Sequence, residues 1–142
     1  MAAWNPWRAL RSRTHIVFRL APLPAETGGA IYWPRGSRAA IIIDPALSQV
    51  ARRAALAHEL VHDERGGGAD LEGMPGSWSA VVMRDEAAVN AEVARRLVPP
   101  AELAEFCRMM VALELPVSAL DVAEEFQVPE AVAALAMRAQ PK

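Results

Sequence analysis

The sequence predicts an α+β fold: a small three-stranded sheet packed on one long helix, followed by a mainly helical C-terminal half. Three observations predict it. Short segments rich in β-branched residues lie before residue 44. The apolar period then changes from two to about 3.6. Beyond that point, prolines and glycines cut the chain into helix-length pieces. The 142 residues fit one domain. It reads as a short helix and sheet over 1–46, a helix pair with a loop over 47–99, and a helical tail over 100–142.

Asn5-Pro6 ahead of Trp-Arg-Ala-Leu predicts a first short helix, with Asn5 as its cap and Pro6 at the first helical position. Residues 14–20 alternate and form a strand; residues 21–29 are a loop. Residues 30–33 and 39–44 are two more strands joined by Pro-Arg-Gly-Ser-Arg, so the sheet is antiparallel or mixed. The best-defined helix starts at Asp44-Pro45 or at Ser48 and ends at Gly66–Gly68. Residues 66–82, with five glycines, Pro75 and Trp78, read as a long loop that is either one wall of a substrate cleft or a disordered connection. A second helix covers 84–98 and stops at Pro99-Pro100; a third covers 101–115 and stops at Pro116. Ser118 and Asp121, three apart, open a fourth, and Pro129 begins the last.

Composition narrows the function. Apolar residues make up 53% and the formal net charge is −2, so the chain is globular and a poor candidate for bulk nucleic-acid binding. Residues 123–136 have the spacing of a helix-turn-helix. Gln127 replaces the usual turn glycine, however, and the would-be reading helix carries Glu130 and only Arg138. Core packing, without direct nucleic-acid contact, is the better expectation. Cys107, the single cysteine, excludes an internal disulfide and falls in an apolar helical pattern, as a core residue would. No apolar run approaches the ~18 residues of a membrane span. The N-terminus lacks the apolar stretch of a signal peptide, which makes cytoplasmic residence the default.

The chemistry concentrates in Ala-His-Glu-Leu-Val-His-Asp-Glu, residues 57–64. His58 and His62 stand four apart on the long helix. Four residues turn a helix by about 400°, so both imidazoles lie on one face, ~6 Å apart along the axis. That spacing lets both reach one Zn2+ at ~2.0–2.1 Å. Glu59 points to the side of the pair, where it can act on a water at the metal without ligating it. With three His and twelve Glu, the pattern arises by chance with a probability of about 0.005.

A catalytic zinc needs a third protein ligand and an open position. His15, in the first strand, reads as structural. Glu86 is the better candidate, with Asn90 one turn later on the same face, able to hydrogen-bond a ligating imidazole. Glu86 is alternatively a carboxylate at a helix start. Asp70, Glu72, Asp85 and Glu92 compete with it. Tyr32 and Arg84 are candidate donors to an oxyanion; their plainer roles are strand packing and a solvated helix start. Trp4, Trp7, Trp33 and Trp78 suit a core or an interface.

Residues 39–99 resemble the ImmA/IrrE family of metallo-endopeptidases. The likeness lies in a strand ending in Asp44, the HExxH helix, and a following helix in which Glu86, Asn90, Ala94, Leu97 and Pro99 match. It continues weakly into residues 123–138. Val89, Glu92 and Arg96 depart from the pattern, where alanine, an aromatic and leucine are usual. The resemblance implies zinc held by His58, His62 and Glu86, with Glu59 as catalytic base. It further implies a protein substrate, a helix-turn-helix transcriptional repressor, whose cleavage relieves repression. A zinc-binding regulatory module that binds its partner without cutting it is the alternative.

Overall fold

A computed structural model describes residues 4–66 and 78–141, with the backbone alone over 78–84. The elements in order are α1 (Pro6–Ser12), β1 (Ile16–Leu20), β2 (Ala30–Arg35), β3 (Arg38–Ile43), α2 (Gln49–Glu64), α3 (Trp78–Leu97), α4 (Pro100–Ala112), α5 (Ala119–Phe126) and α6 (Glu130–Arg138). A single 3-10 turn, Ala25–Thr27, lies between β1 and β2.

Local chemistry explains most boundaries. The Asn5 side chain accepts from the Trp7 and Arg8 amides, satisfying two free donors at the start of α1. Ser48, not Asp44, caps α2 by accepting from the Ala51 amide. Asp44 instead accepts from the amides of Leu23 and Ala46, tying the end of β3 to the β1–β2 connection. Gly66, at φ 88°, follows the end of α2 in the left-handed conformation that stops a helix. Ser118 and Asp121 form a complete capping box on α5.

Two boundaries differ from expectation. Helix α3 begins at Trp78, six residues before Arg84. The glycines and Pro75 upstream suggest a longer loop, but residues 78–83 contain no helix breaker and join the helix. Helix α4 stops at Ala112, before Pro116, because Glu114 takes a left-handed φ of 58°.

The sheet is mixed, with order β1-β3-β2: β3 lies at the centre, parallel to β1 and antiparallel to β2. The two-residue β2–β3 turn places Gly36, at φ 61°, at its first central position. Burial alternates along β3, with Ala39, Ile41 and Ile43 facing inward.

Helix α2 separates two apolar clusters. On its sheet side, Leu56 and Leu60 pack on Ile41 and Ile43, all four with no exposed surface. On its other side, Ala57 and Val61 pack with Val89, Val93 and Leu97 of α3 and with residues of α4, α5 and α6. Each fully buried aliphatic contributes roughly 1.5–3 kcal/mol, against about 0–1 kcal/mol for an exposed ion pair. Apolar contact therefore sets how α2 lies on the sheet. Cys107 is half-buried against the larger cluster. No helix among the described residues is long and apolar enough to cross a membrane.

Candidate metal centre

Two opposite faces of α2 are covered by the clusters, and the two histidines lie on a strip between them. His58 and His62 are both half-buried, their rings 4.7 Å apart at 74°. Helix α3 passes beside this strip because Val89 and Val93 pack on Ala57 and Val61. One turn before Val89, Glu86 reaches across to both rings. Its Oε2 lies 2.9 Å from His58 Nε2 and its Oε1 2.5 Å from His62 Nε2. His58, His62 and Glu86 each offer one donor atom within 4.8 Å of the other two.

This set fits a zinc ion. Two imidazole nitrogens and one carboxylate oxygen form a three-ligand donor set of the kind used at catalytic zinc. Donors at ~2.0–2.1 Å in tetrahedral directions stand ~3.3 Å from one another, so small outward shifts from the observed 2.5 and 2.9 Å suffice. Glu86 is the ninth residue of α3, well inside the helix. Its placement owes nothing to the helix N-terminus, which removes the alternative explanation for this carboxylate.

Glu59 is the only buried charged side chain among the described residues, at 8% exposure. Its Oε1 lies 3.3 Å from His58 Nδ1. Burial on its own would lower the pKa of His58, but the Glu59 and Glu86 carboxylates outweigh it and the net shift is upward. If an ion takes the place of a proton at Nε2, the atom facing Glu86, the remaining ring proton would sit on Nδ1, directed at Glu59.

Asp85, rather than Asn90, stands behind His62. Its Oδ2 is 3.8 Å from His62 Nδ1, and Arg65 donates to its Oδ1 at 2.8 and 3.0 Å. Asn90 is exposed and makes no side-chain hydrogen bond among the described residues. It sits one turn beyond Glu86, but the structure does not bring it to either imidazole. The short amide projects to solvent while the preceding residue, Val89, takes the buried position.

Asp63, one residue past His62, was not suggested by the sequence pattern. The Tyr32 hydroxyl donates to its Oδ1 at 2.7 Å, and His15 Nε2 lies 2.8 Å from its Oδ2. His15 is thus held to the end of α2, away from the triad. Burial, then the Asp63 hydrogen bond, push the Tyr32 phenol up from its ordinary value. Tyr32 therefore keeps its proton and directs it to Asp63; donating to an oxyanion instead would require that hydrogen bond to break. A cavity of about 300 Å3 opens beside Asp63, between the end of α2 and the β2–β3 turn. The acid directly after the second histidine was the only signal for this site, since its partners lie 31 and 48 positions away.

Arg96 ties α2 and α3 together. It donates to Glu64 of α2 at 2.9 and 2.5 Å and to Glu92 of α3 at 2.9 Å, and its guanidinium lies 5.0 Å over the Trp4 ring. Arg13 also donates to Glu64 and to the Leu60 carbonyl. Glu92 is therefore occupied with arginines and does not compete for the metal. Asp70 and Glu72, most of the 66–82 segment, and the side chains of Trp78 and Arg84 lie outside the described residues. No family model, curated protein or solved structure matches the chain.

Proposed function

We propose that the chain is a zinc-dependent endopeptidase with a minimal zincin-like arrangement. His58, His62 and Glu86 would hold the ion, and Glu59 would be the general base. One observation carries the reading: Glu86, 24 positions beyond His62, reaches both imidazoles of an HExxH helix whose glutamate is the sole buried charge among the described residues. Burial of an ionisable group in a cluster of possible metal ligands is a recurring feature of catalytic sites.

The ion, when bound, would supply a Lewis acid that polarises the scissile carbonyl and makes water easier to deprotonate near neutral pH. Glu59 takes one proton from the attacking water and later delivers it to the leaving amine nitrogen, so water adds across a C–N bond that breaks. Glu59 also accepts from His58 Nδ1, which holds that ring with Nε2 toward the site. Asp85, itself fixed by Arg65, lies 3.8 Å from His62 Nδ1, too far to hydrogen-bond it, and acts on that ring through its charge alone.

The proposed substrate is a protein. The likeness of residues 39–99 to ImmA/IrrE sequences makes a helix-turn-helix repressor in the cytoplasm the proposed partner. The decisive experiment compares wild type with Glu59→Gln on such a repressor. Zinc content should be unchanged while cleavage falls by roughly 10²–10⁴-fold. Equal action by the two proteins would overturn the peptidase reading and leave a zinc-binding module that works by binding.

A further inference from the structure

Among the described residues, helices pack on one side of the sheet only. Its inner face packs on α2 through Ile41 and Ile43. By register, the outer face carries Val17, Ile31, Trp33, Ala40 and Ile42 as an apolar centre. None of these joins either core cluster, and Trp33 is 56% exposed. Arg19, Arg35 and Arg38 flank that centre on the same face, with no acidic residue among them. None of the three forms an ion pair among the described residues.

On the sheet face Trp33 is the exposed apolar residue, the other four being half-buried; a more exposed apolar surface lies at the α4–α5 turn. All six residues from Val111 to Pro116 are exposed, Val111 by 71% and Leu113 by 59%, and Met109 and Leu120 extend the patch. The turn is held in place: Leu115 N–H donates to Met110 O at 2.9 Å and Glu114 N–H to Val111 O at 2.9 Å. Left-handed backbone at a residue with a side chain carries an intrinsic penalty, and here it displays leucines to water. Glu105 lies one helical turn before Met109, Glu114 within the turn, and Glu124 one helical turn after Leu120. From 102 to 130 the chain carries seven acidic residues against Arg108 alone.

We propose that the chain self-associates, the arginine-flanked outer sheet face of one copy receiving the glutamate-rimmed α4–α5 turn of another. Exposed apolar patches with polar rims mark contact surfaces. Here the two patches carry opposite charge, and one chain supplies both halves of the match. The contact joins unlike patches, so it forms a reciprocal pair, a ring or an open chain of copies. A single-stranded nucleic acid would need several stacking aromatics on the sheet. Trp33 is the only aromatic on that face, and an aliphatic centre suits protein.

Sedimentation of the full chain from micromolar to near-millimolar concentration tests this. The weight-average mass should rise with concentration and fall on adding salt. Trp33→Glu and Leu113→Glu each destroy one surface at an exposed position and should weaken association on the order of 30-fold or more. Unchanged circular dichroism melts would show that both variants fold. Mixed in equal amounts, the two variants still possess one intact pair of surfaces and should form a mixed dimer, and nothing larger. A wild type monomeric throughout, either variant associating normally, or a mixture that stays monomeric would overturn the proposal. So would salt-sensitive binding of an oligothymidylate to a monomer, lost in Arg35→Glu.

Discussion

Glu86 decides whether two histidines on a helix amount to a metal site. With it, three donors converge; without it, the ion would have two protein ligands and a weak hold. Glu86→Ala should lower zinc affinity by more than the roughly 10–100-fold that loss of a supporting hydrogen-bond partner costs. Competition against a zinc-chelating dye checks this, and affinity within a few-fold of wild type would remove Glu86 from the ligand set. His58, Glu59 and His62 could be read from sequence because a single helix fixes their relations through its pitch. Asn90 and Asp85 could not be ranked that way. Both lie near Glu86 in sequence, and only the packing of Val89 decides which of them faces the imidazoles. Asp63 was harder still, since its partners His15 and Tyr32 come from other elements.

Helices α2 and α3 must keep their alignment for Glu86 to reach both rings. Apolar packing supplies most of the energy, and Arg96 supplies direction, through Glu64, Glu92 and Trp4. Glu92 and Arg96 are each other's partners one turn apart on α3. Arg96→Met should destabilise the fold by roughly 1–3 kcal/mol, since two carboxylates lose their shared donor. It should also weaken zinc binding, although Arg96 touches no ligand. Thermal unfolding and the same dye competition measure both; a stability loss with untouched zinc affinity would show that the apolar contact alone aligns the helices. Element identity was mostly legible because caps and breakers act locally, as at Asn5, Ser48 and Ser118. The start of α3 and the end of α4 were not. The first follows a glycine-rich stretch that resembles loop throughout, and the second depends on a glutamate adopting a conformation usual for glycine.

For the molecule as a whole, the same arginine network predicts an acid limb. Arg96 and Arg13 hold Glu64 below its ordinary value, and Arg95 and Arg96 hold Glu92 down at about 2. A carboxylate with a lowered folded pKa stabilises the fold fully above its unfolded value, here 4.5, and loses that contribution as pH falls through the folded one. Stability should therefore decline between about pH 4.5 and 2, and Glu92→Gln should flatten the decline. Its amplitude is modest because Glu92 is partly solvated. Urea titrations across that range provide the check, and parallel curves for the two proteins would exclude the network as the cause. The α+β class followed from residue order, but strand order did not. Inserting β3 between β1 and β2 depends on burying alternate residues of β3 against Leu56 and Leu60, a long-range demand that local patterns do not register.

That α2 walls both apolar clusters has a kinetic corollary. Moving this one helix would open both clusters at once, so its central amides should exchange with solvent only through global opening. The two imidazoles thus ride on the segment slowest to open, and an ion lost from them would find its nitrogen donors still in place on its return.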